Sequence, residues 1–407
     1  MRYTQKKSNF TMAGIAALLL FSSQASASGF RIPEISIAGL GTSNALVANT
    51  TEVGALAYNP AGMAFHQTRQ LTAGLINIHI DLSATPAGGA YTQSNGKSSF
   101  VAPNFFYMAR LNTSWTWGLA VNTPFGLETK WPKDTFPGFA GPIDGAEPAL
   151  SKIEMLNINP NIAYQIDDNS SIAFGIDYYD VRKVNLNAQS TTITGSGQKQ
   201  GWNISFIQKA GNLQFGFSYH DEVKVPLKGT MATTAVATEL TFPSTTQFGV
   251  LYKATNRLSL EFDIDNTGWG SYDKTQIRAA ANNATLVTST NNWEDATAYR
   301  LSGIYRLTDT TKLLLGYSKD GTPQTGLFRF SARLPDADRQ LYSIGILHGM
   351  GRWTIEAAYM RVDVDTATVN SSTPFGTYGL DANGTSLYNG TYNTKLNLVG
   401  LGVSYSF

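Results

Sequence analysis

Apolar and polar residues alternate without a break in Leu213-Gln214-Phe215-Gly216-Phe217-Ser218-Tyr219-His220. The same period of two recurs in residues 258–265, 353–359 and 401–407, and it is maintained from about residue 70 onward. Successive side chains of a β-strand point to opposite faces, so the pattern predicts strands that bury one face and present the other to a different environment. A sandwich and a barrel both satisfy this alternation.

The composition excludes several classes of protein. Charged residues make up 14% of the 407 residues, against roughly 25% in an ordinary soluble domain, and aromatic residues make up 12%. No apolar run approaches the ~18–20 residues of a membrane helix, which excludes a helical membrane protein. The apolar content excludes a disordered chain. With 30 basic and 29 acidic residues, nucleic acid is not an expected partner, because it requires a basic surface.

The first residues predict export. Arg2, Lys6 and Lys7 form a basic start, residues 12–21 are apolar, and Ala25-Ser26-Ala27 has the small-residue pattern of a cleavage site. We therefore predict a signal peptide over residues 1–27. The chain has no cysteine, so it offers neither a disulfide framework nor a thiolate nucleophile or metal ligand.

The connections between strands distinguish a barrel from a sandwich. Short polar turns occur at 112–114, 167–169, 210–212, 255–257, 308–310 and 349–351. Longer connections alternate with them, near 83–99, 124–149, 189–197, 229–242, 281–295, 320–337 and 365–393. Thirteen connections join fourteen strands, and an even strand number with short periplasmic turns and longer outer loops is typical of outer-membrane barrels. We predict an all-β fold: a membrane β-barrel of about 14 antiparallel strands in the outer membrane of a Gram-negative bacterium.

Parity assigns the strand residues to lipid or lumen. The apolar set should face lipid: Leu213, Phe215, Phe217, Tyr219, Leu258, Leu260, Phe262 and Ile264. The polar set should face the lumen: His79, Gln214, Ser218, His220, Glu261, Asp263, Asp265 and Glu356. The reverse assignment would place several carboxylates against acyl chains, at a cost of up to a few kcal/mol each. Trp115, Trp117 and Trp353 fall on the lipid face near the periplasmic strand ends, as an interfacial girdle requires.

Residues 28–66 precede the first strand and lack its pattern. They are rich in Gly, Ala, Ser and Asn and end in Tyr58-Asn59-Pro60-Ala61-Gly62-Met63-Ala64-Phe65. Such a segment can fold inside the barrel as a hatch, although Asn59-Pro60 also fits an ordinary helix start. The predicted organisation is a signal peptide (1–27), an N-terminal hatch (28–66) and a transmembrane β-barrel (67–407).

An ordered set of motifs resembles the family of FadL/TodX-type outer-membrane transporters of long-chain fatty acids and other hydrophobic compounds. The hatch motif Asn59-Pro60-Ala61 is the first of them. The others are Asn122-Thr123-Pro124-Phe125-Gly126-Leu127, Asn157-Ile158-Asn159-Pro160-Asn161, Glu222-Val223-Lys224-Val225-Pro226, Leu240-Thr241-Phe242-Pro243, Trp269-Gly270-Ser271-Tyr272 and Arg333-Leu334-Pro335-Asp336-Ala337-Asp338-Arg339. The C-terminal Phe407, with Tyr405 and Val403, is similar to the assembly signal of outer-membrane barrels. It also fits the lipid face of the last strand.

The resemblance implies a function and a set of partners. It implies a fourteen-stranded barrel with an N-terminal hatch, and uptake of long-chain fatty acids or aromatic hydrocarbons by diffusion. Lateral exit into the membrane is expected for long ligands, and a vertical exit through the hatch stays possible for a ring-sized compound. The expected partners are a hydrophobic ligand (fatty acid, detergent or aromatic hydrocarbon), outer-membrane lipid and the barrel assembly machinery. We expect a monomer that needs no cofactor and no metal.

The resemblance also implies two sets of site residues. An Arg near the outer end of the fifth strand can meet a ligand carboxylate, which points to Arg182 or Lys183, although either could instead form a plain salt bridge. A kink in the third strand opens the lateral gap, which points to Gly118 and Ala120, although Gly118 could equally be a packing glycine beside the hatch. The loops near 189–197 and 229–242 are short for this family, which leaves smaller hydrophobic substrates open.

Other functions are less well supported by the sequence. The four histidines are scattered, so no catalytic constellation is visible and we do not predict an enzyme. The lumen carboxylates Glu261, Asp263 and Asp265 could bind a cation but usually pair with Arg or Lys in barrels. The residues from Arg333 to Arg339 are expected to latch a loop. A general diffusion porin for hydrophilic solutes remains the main alternative, and an adhesin would need an outer domain.

Overall fold

The computed structural model describes residues 29–376 and 383–407, and the predicted signal peptide lies outside them. In these residues the strands form one closed antiparallel barrel of fourteen strands, as predicted. Several strands are interrupted once by a short break. The fourteen strands, with two ranges where a strand is interrupted, are β1 (Gln70–Pro86), β2 (Ser99–Arg110), β3 (Trp115–Asn122 and Gly126–Lys130), β4 (Pro148–Gln165), β5 (Ser170–Ala188), β6 (Ile193–Ala210), β7 (Leu213–His220 and Val223–Met231), β8 (Thr234–Phe242 and Thr245–Lys253), β9 (Leu258–Thr267 and Lys274–Ala279), β10 (Thr285–Thr290 and Ala296–Arg306), β11 (Thr311–Asp320), β12 (Arg339–Met350), β13 (Trp353–Val364) and β14 (Gly390–Ser406).

The barrel closes through β1 and β14, which pair from Gln70–Ser406 to Pro86–Gly390. Every other strand pairs with its neighbours in sequence, so the topology is up-and-down. Closure leaves no free sheet edge over the paired lengths, and an edge in hydrocarbon would expose unpaired backbone groups.

Three outer connections are shorter than the sequence pattern predicts. The strands continue past the predicted ends, which leaves only residues 189–192, 232–233 and 280–284 as turns. The prediction of longer loops there is wrong because residues 193–197, 229–231, 234–242 and 285–290 pair with neighbouring strands and extend the barrel wall. Within β7 the alternation also resumes on the opposite parity after a break at residues 221–222. Val223, Val225 and Leu227 face inward and are buried.

The two faces separate largely as parity predicts. Phe215, Leu260 and Phe262 are exposed on the outer surface, whereas Gln214, Glu261, Asp263, Asp265 and Glu356 are buried inside. Trp115, Trp117 and Trp353 are exposed on the outer surface near the periplasmic strand ends.

The assignment of His79 to the lumen is wrong. Its ring is half-exposed and contacts Ser99 and Asp81 on the outer face. The neighbouring residues Ile76 and Ile78 are buried and face inward. The lumen beside β1 is therefore apolar, and parity based on a polar lumen fails for this strand.

Residues 29–66 lie inside the barrel. They form a short helix α1 (Ile37–Gly41), capped by Ser36, whose Oγ accepts from Gly39 N at 2.9 Å, and the 3-10 helices Val53–Ala57 and Pro60–Phe65. Nearly all of these residues are buried, and α1 contacts β11, β12, β13 and β14. Among the described residues, no helix is long and apolar enough to cross a membrane.

Candidate ligand-binding site

The predicted hatch motif ties residues 29–66 to the wall of the barrel. The Nδ2 group of Asn59 donates to the carbonyl oxygens of Val47 (2.8 Å), Phe206 (3.1 Å) and Phe217 (3.2 Å), while its Oδ1 accepts from Ala61 N at 3.1 Å. Phe206 and Phe217 are a cross-strand pair of β6 and β7. One buried amide therefore caps a hatch helix and joins it to two strands.

Pro60 and Ala61 complete this attachment. Pro60 occupies the first position of the 3-10 helix, where a missing N–H costs nothing. Ala61 N also lies 3.0 Å from Ser205 Oγ, and its carbonyl accepts from Ser171 Oγ at 2.8 Å. The motif thus contacts β5 and β6 as well as its own helix.

Lumen carboxylates hold a second part of the hatch. Asp263 Oδ2 accepts from Val47 N at 3.0 Å, and Glu261 Oε1 accepts from Ala48 N at 2.6 Å. The same hatch backbone lies so close to β7 that a Cβ at Gly216 would overlap the carbonyl oxygen of Val47. The hatch is therefore fitted directly against the wall.

Asp265 lies at the centre of an ion-pair network. It contacts Arg31 Nη1 of the hatch at 2.8 Å and Arg300 Nη2 at 3.3 Å, and Arg300 also lies 3.2 Å from Asp320. Arg31 donates to Thr267 at 2.9 Å as well. Of the three lumen acids expected to pair with Arg or Lys, Asp265 does so, whereas Asp263 and Glu261 accept from the backbone of the hatch. The network around Asp265 fixes the first residues of the hatch.

A large cavity of about 650 Å³ lies above the hatch, between its first residues and β1–β4 and β12–β14. This volume is within the ~300–1,000 Å³ range of ligand pockets. Its walls are largely apolar and come from Ile78, Ile80, Leu82, Phe100, Ala102, Leu341, Val362, Val364, Leu396 and Leu398.

Charged side chains also line this cavity. Arg31, Glu34, Asp336 and Arg339 line it beside the start of the hatch, and Lys97, Glu128, Lys152, Glu154 and Arg182 line it beside β2–β5. Burial raises the pKa of Glu34, which accepts from the amide of Asn44 at 2.9 Å, and burial also raises the pKa of Asp336. A cavity that combines an apolar wall with charged side chains suits an amphiphile.

A second, smaller cavity of about 120 Å³ lies towards the outer side and shares Phe30 and Leu334 with the large one. The ring of Phe30 packs against Trp269 (4.7 Å between centroids), Phe125 (5.9 Å) and Trp293 (6.0 Å). The start of the hatch thus lies between the two cavities.

The barrel wall is incomplete between β2 and β3. Their pairing ends at Phe105–Val121. β3 is interrupted at residues 123–125, and its continuation Gly126–Lys130 pairs with β4. In the described structure residues 99–104 have ladder partners on β1 only. Val101 borders the cavity and is also exposed on the outer surface, so the cavity reaches the membrane side of the wall here. We call this opening the lateral gap.

The start of the hatch forms part of the rim of the lateral gap. Ile32 N donates to Pro124 O at 2.8 Å, and Gly126 N donates to Phe30 O at 3.0 Å, around an antiparallel bridge between Arg31 and Phe125. The hatch and the interrupted strand are therefore hydrogen-bonded to each other.

The structure places Gly118 and Ala120 below the lateral gap. Both lie in the paired part of β3 and face the hatch. A Cβ at Gly118 would overlap the sulfur of Met63, which is the packing alternative considered for this glycine.

Arg182 and Lys183 occupy a bulge in β5, where the register shifts between Val181 and Val184. Arg182 borders the large cavity, but its side chain is 58% exposed and its Nε lies 3.1 Å from Asp180. Lys183 is exposed and lies opposite Glu154.

Glu34 and Arg339 are among the charged residues of the cavity that were not predicted as ligand contacts. Glu34 had no motif to mark it. Arg339 was assigned to a loop latch, yet it begins β12 on the inward parity of Leu341. The shared parity of Arg339 and Leu341 is the sequence signal that could have placed Arg339 in the lumen.

Extracellular carboxylates form the one group among the described residues with metal-like spacing. Oxygens of Asp134, Asp144 and Glu147 lie within 4.8 Å of one another. Lys133 Nζ lies 3.0 Å from Asp144, and Glu147 accepts from the backbone N–H groups of Asp134 and Phe136 at 2.9 Å. These contacts hold the loop together and explain the clustering of the three carboxylates without a metal ion.

An inward-facing hatch, an apolar cavity and a gap in the wall define a plugged channel for hydrophobic compounds. The family model described as outer membrane protein transport protein (OMPP1/FadL/TodX) matches residues 18–407, so the chain belongs to this family of outer-membrane transporters. The long-chain fatty acid transport protein of Escherichia coli K12 is 21% identical over 412 residues, covering 85% of this chain and 90% of that protein. Outer membrane protein P1 of Haemophilus influenzae Rd is 22% identical over 463 residues, covering 96% and 98%.

Two crystal structures share the fold. A Pseudomonas aeruginosa FadL homologue superposes with a TM-score of 0.77 at 19% identity, covering 93% of this chain and 100% of that chain. The toluene transporter TbuX of Ralstonia pickettii gives a TM-score of 0.67 at 14% identity, covering 90% and 98%.

Proposed function

We propose that the protein takes up hydrophobic small molecules, long-chain fatty acids or aromatic hydrocarbons, by diffusion across the outer membrane. The observation that carries the proposal is the apolar cavity that reaches the membrane side of the wall through the lateral gap. Relatives named for fatty acid and toluene transport agree with this chemistry. The hatch blocks the straight path to the periplasm.

The direction of exit follows from solvation. A chain of about sixteen methylenes at ~0.8 kcal/mol each would cost ~13 kcal/mol to move from an apolar site into water. Release into the periplasm would also break the carboxylate and amide contacts that hold the hatch, whereas the lateral gap leads from one apolar medium to another. Long ligands therefore leave sideways.

The remaining assignments belong to the same proposal. The protein acts as a monomer without a cofactor and carries out no chemistry, and the close pair His220 Nδ1–Asp177 Oδ2 (2.8 Å) serves as a lumen contact. Its insertion depends on the barrel assembly machinery, which would recognise the outward-facing Tyr405 and Phe407 on the lipid side of the barrel.

The test fills the lateral gap. Ala102 is small, borders the cavity and lies in the part of β2 that pairs with β1 but not with β3, so Ala102→Trp should obstruct the lateral gap. Uptake of radiolabelled palmitate and toluene is measured in Gram-negative cells that lack their own transporter of this type. Val250→Trp, on the exposed outer face of β8, is the matched control.

We expect Ala102→Trp to reduce palmitate uptake at least fivefold and Val250→Trp to leave it unchanged, with both barrels folded. Equal palmitate uptake in the two variants would refute the lateral route. Failure of the unaltered protein to raise uptake of either compound would refute the transport proposal itself.

A further inference from the structure

Basic side chains line one side of the periplasmic mouth of the barrel, below the hatch. They are the inward residues at the periplasmic ends of β6, β8, β10 and β11, together with the residue that precedes β9: Lys209, Lys253, Arg306, Lys312 and Arg257. The strand residues two positions further into the barrel are buried: Ile207, Leu251, Ile304 and Leu314. Alternation along each strand therefore places the four strand cations on the lumen side. We call the five basic residues the basic crescent.

The strand register sets three of these cations side by side. Arg306 lies directly opposite Lys312 on β11, and its N–H donates to the carbonyl oxygen of Arg257 at 2.8 Å. Like charges directly opposite each other destabilise a sheet. The row of cations therefore opposes folding of the wall rather than supporting it.

The chain supplies little negative charge to offset this row. Lys312 Nζ lies 2.6 Å from Glu52 Oε1 of the hatch. Arg257 and Arg306 are exposed and form no ion pair with any described residue, including Asp309 in the turn after β10. Two guanidinium groups at this mouth are thus open to an anion from outside the chain.

The two lysines of the crescent contact uncharged groups. Lys209 Nζ lies 3.3 Å from the centroid of the Phe65 ring at the end of the hatch, and Lys253 Nζ lies 3.0 Å from the side-chain amide of Gln214. These contacts orient the ammonium groups and leave their positive charge uncompensated.

The length of the crescent indicates what it fits. Neighbouring strands lie about 4.8 Å apart, so the arc from β6 to β11 spans about 24 Å. A single carboxylate or phosphate reaches one or two of its cations. An extended peptide places side chains on one side about every 7 Å, so successive acidic residues can meet successive cations along the arc.

We infer that the basic crescent docks an extended acidic segment of a periplasmic protein. Arg257 and Arg306 form the centre of this surface, and the lysines extend it on both sides. The docking surface is separate from the large cavity and the lateral gap, so this inference goes beyond the proposed function and does not depend on it.

The test measures peptide binding to the purified protein in nanodiscs of phosphatidylcholine, a lipid without net charge. The probe is a fluorescein-labelled peptide of about eight residues in which Glu alternates with Ser, long enough to span the arc. A second peptide has Gln in place of each Glu. Fluorescence anisotropy gives both affinities at about 50 mM and about 200 mM salt.

The variants remove two charges at one end of the barrel or at the other. Arg257→Gln/Arg306→Gln alters the centre of the crescent. Lys224→Gln/Lys228→Gln is the matched control, because it removes the same charge from the exposed outer face of β7, away from the periplasm. Thermal unfolding of each variant without peptide reports whether the cations support the fold.

We expect the Glu peptide to bind more tightly than the Gln peptide, and more weakly at the higher salt concentration. Arg257→Gln/Arg306→Gln should weaken its binding about threefold to tenfold, as for two exposed ion pairs. The control should bind within twofold of the unaltered protein. The unfolding midpoint of Arg257→Gln/Arg306→Gln should not fall, because the substitution removes repulsion between neighbouring strands.

Three results would overturn the inference. The first is equal binding of the Glu and Gln peptides by the unaltered protein. The second is a loss of binding in the control as large as in Arg257→Gln/Arg306→Gln, or a loss accompanied by a lower unfolding midpoint. The third is retention of phosphatidylglycerol by the unaltered protein, but not by Arg257→Gln/Arg306→Gln, when no form binds the peptide, since this would assign the crescent to a lipid head group. Palmitate uptake tests the proposed function separately and should be equal in all three forms.

Discussion

Single polar side chains attach the hatch to the wall. Asn59 alone donates to three backbone carbonyls and accepts from a fourth backbone group. Its contacts with Val47 and Ala61 are buried and those with Phe206 and Phe217 are part-buried, so the loss of the amide removes hydrogen bonds from groups with little access to water. A buried group without its partner costs more than the net value of the bond it made.

Asn59→Ala should therefore loosen the hatch. We expect a loss of about 2–4 kcal/mol, as for several buried hydrogen bonds, and faster amide exchange in residues 59–65. Hydrogen–deuterium exchange of the purified barrel measures this directly. Asn256→Ala in an exposed turn is the control, and equal exchange in the two variants would show that Asn59 does not hold the hatch.

Close backbone approach provides a second attachment. A methyl group at Gly216 would overlap the carbonyl oxygen of Val47, whereas at Gly303 it would meet only Leu260 Cδ2 at 3.4 Å. We expect Gly216→Ala to cost about 1–3 kcal/mol through overpacking and to displace the hatch, with Gly303→Ala near neutral. Thermal unfolding compares the two variants, and equal midpoints would contradict the close fit.

At the scale of elements, the hatch should determine whether the barrel conducts. Residues 29–66 are fitted to the wall from α1 to the 3-10 helix Pro60–Phe65. Deletion of residues 28–58 should raise ion conductance in planar bilayers sharply above that of the intact protein. Equal, high conductance of both would identify an open porin and contradict the plug.

The strands illustrate what a sequence can specify. The strand number and most of the face assignments were predictable, because alternation is a local property that each strand carries by itself. The outer extensions were not: the break at residues 221–222 reverses the parity, so Val223, Val225 and Leu227, which the parity of residues 213–219 would place on the lipid face, turn inward and are buried.

The lateral gap could be anticipated only in part. Pro103 and Pro124 remove ladder donors and weaken pairing, which is a local signal. The loss of pairing over residues 99–104 depends on where β3 runs relative to β2, and this is a tertiary property.

At the scale of the whole molecule, lateral exit makes a prediction about where the ligand arrives. In asymmetric vesicles with an outer lipopolysaccharide leaflet, palmitate should pass from the protein into the inner leaflet without an energy source. Albumin enclosed in the vesicles should therefore leave the initial rate of protein-dependent palmitate transfer unchanged. Acceleration by enclosed albumin would indicate release through the hatch into water.

The hydrogen bonds between Phe30–Ile32 and Pro124–Gly126 have a consequence for how this channel can be altered. The aperture through which cargo departs is framed on one side by residues of the stopper itself. Directed evolution towards bulkier cargo should thus accumulate compensating pairs of mutations, one in residues 30–32 and one in residues 123–126. A single change on either side should widen the opening but also let solutes such as antibiotics leak through the barrel.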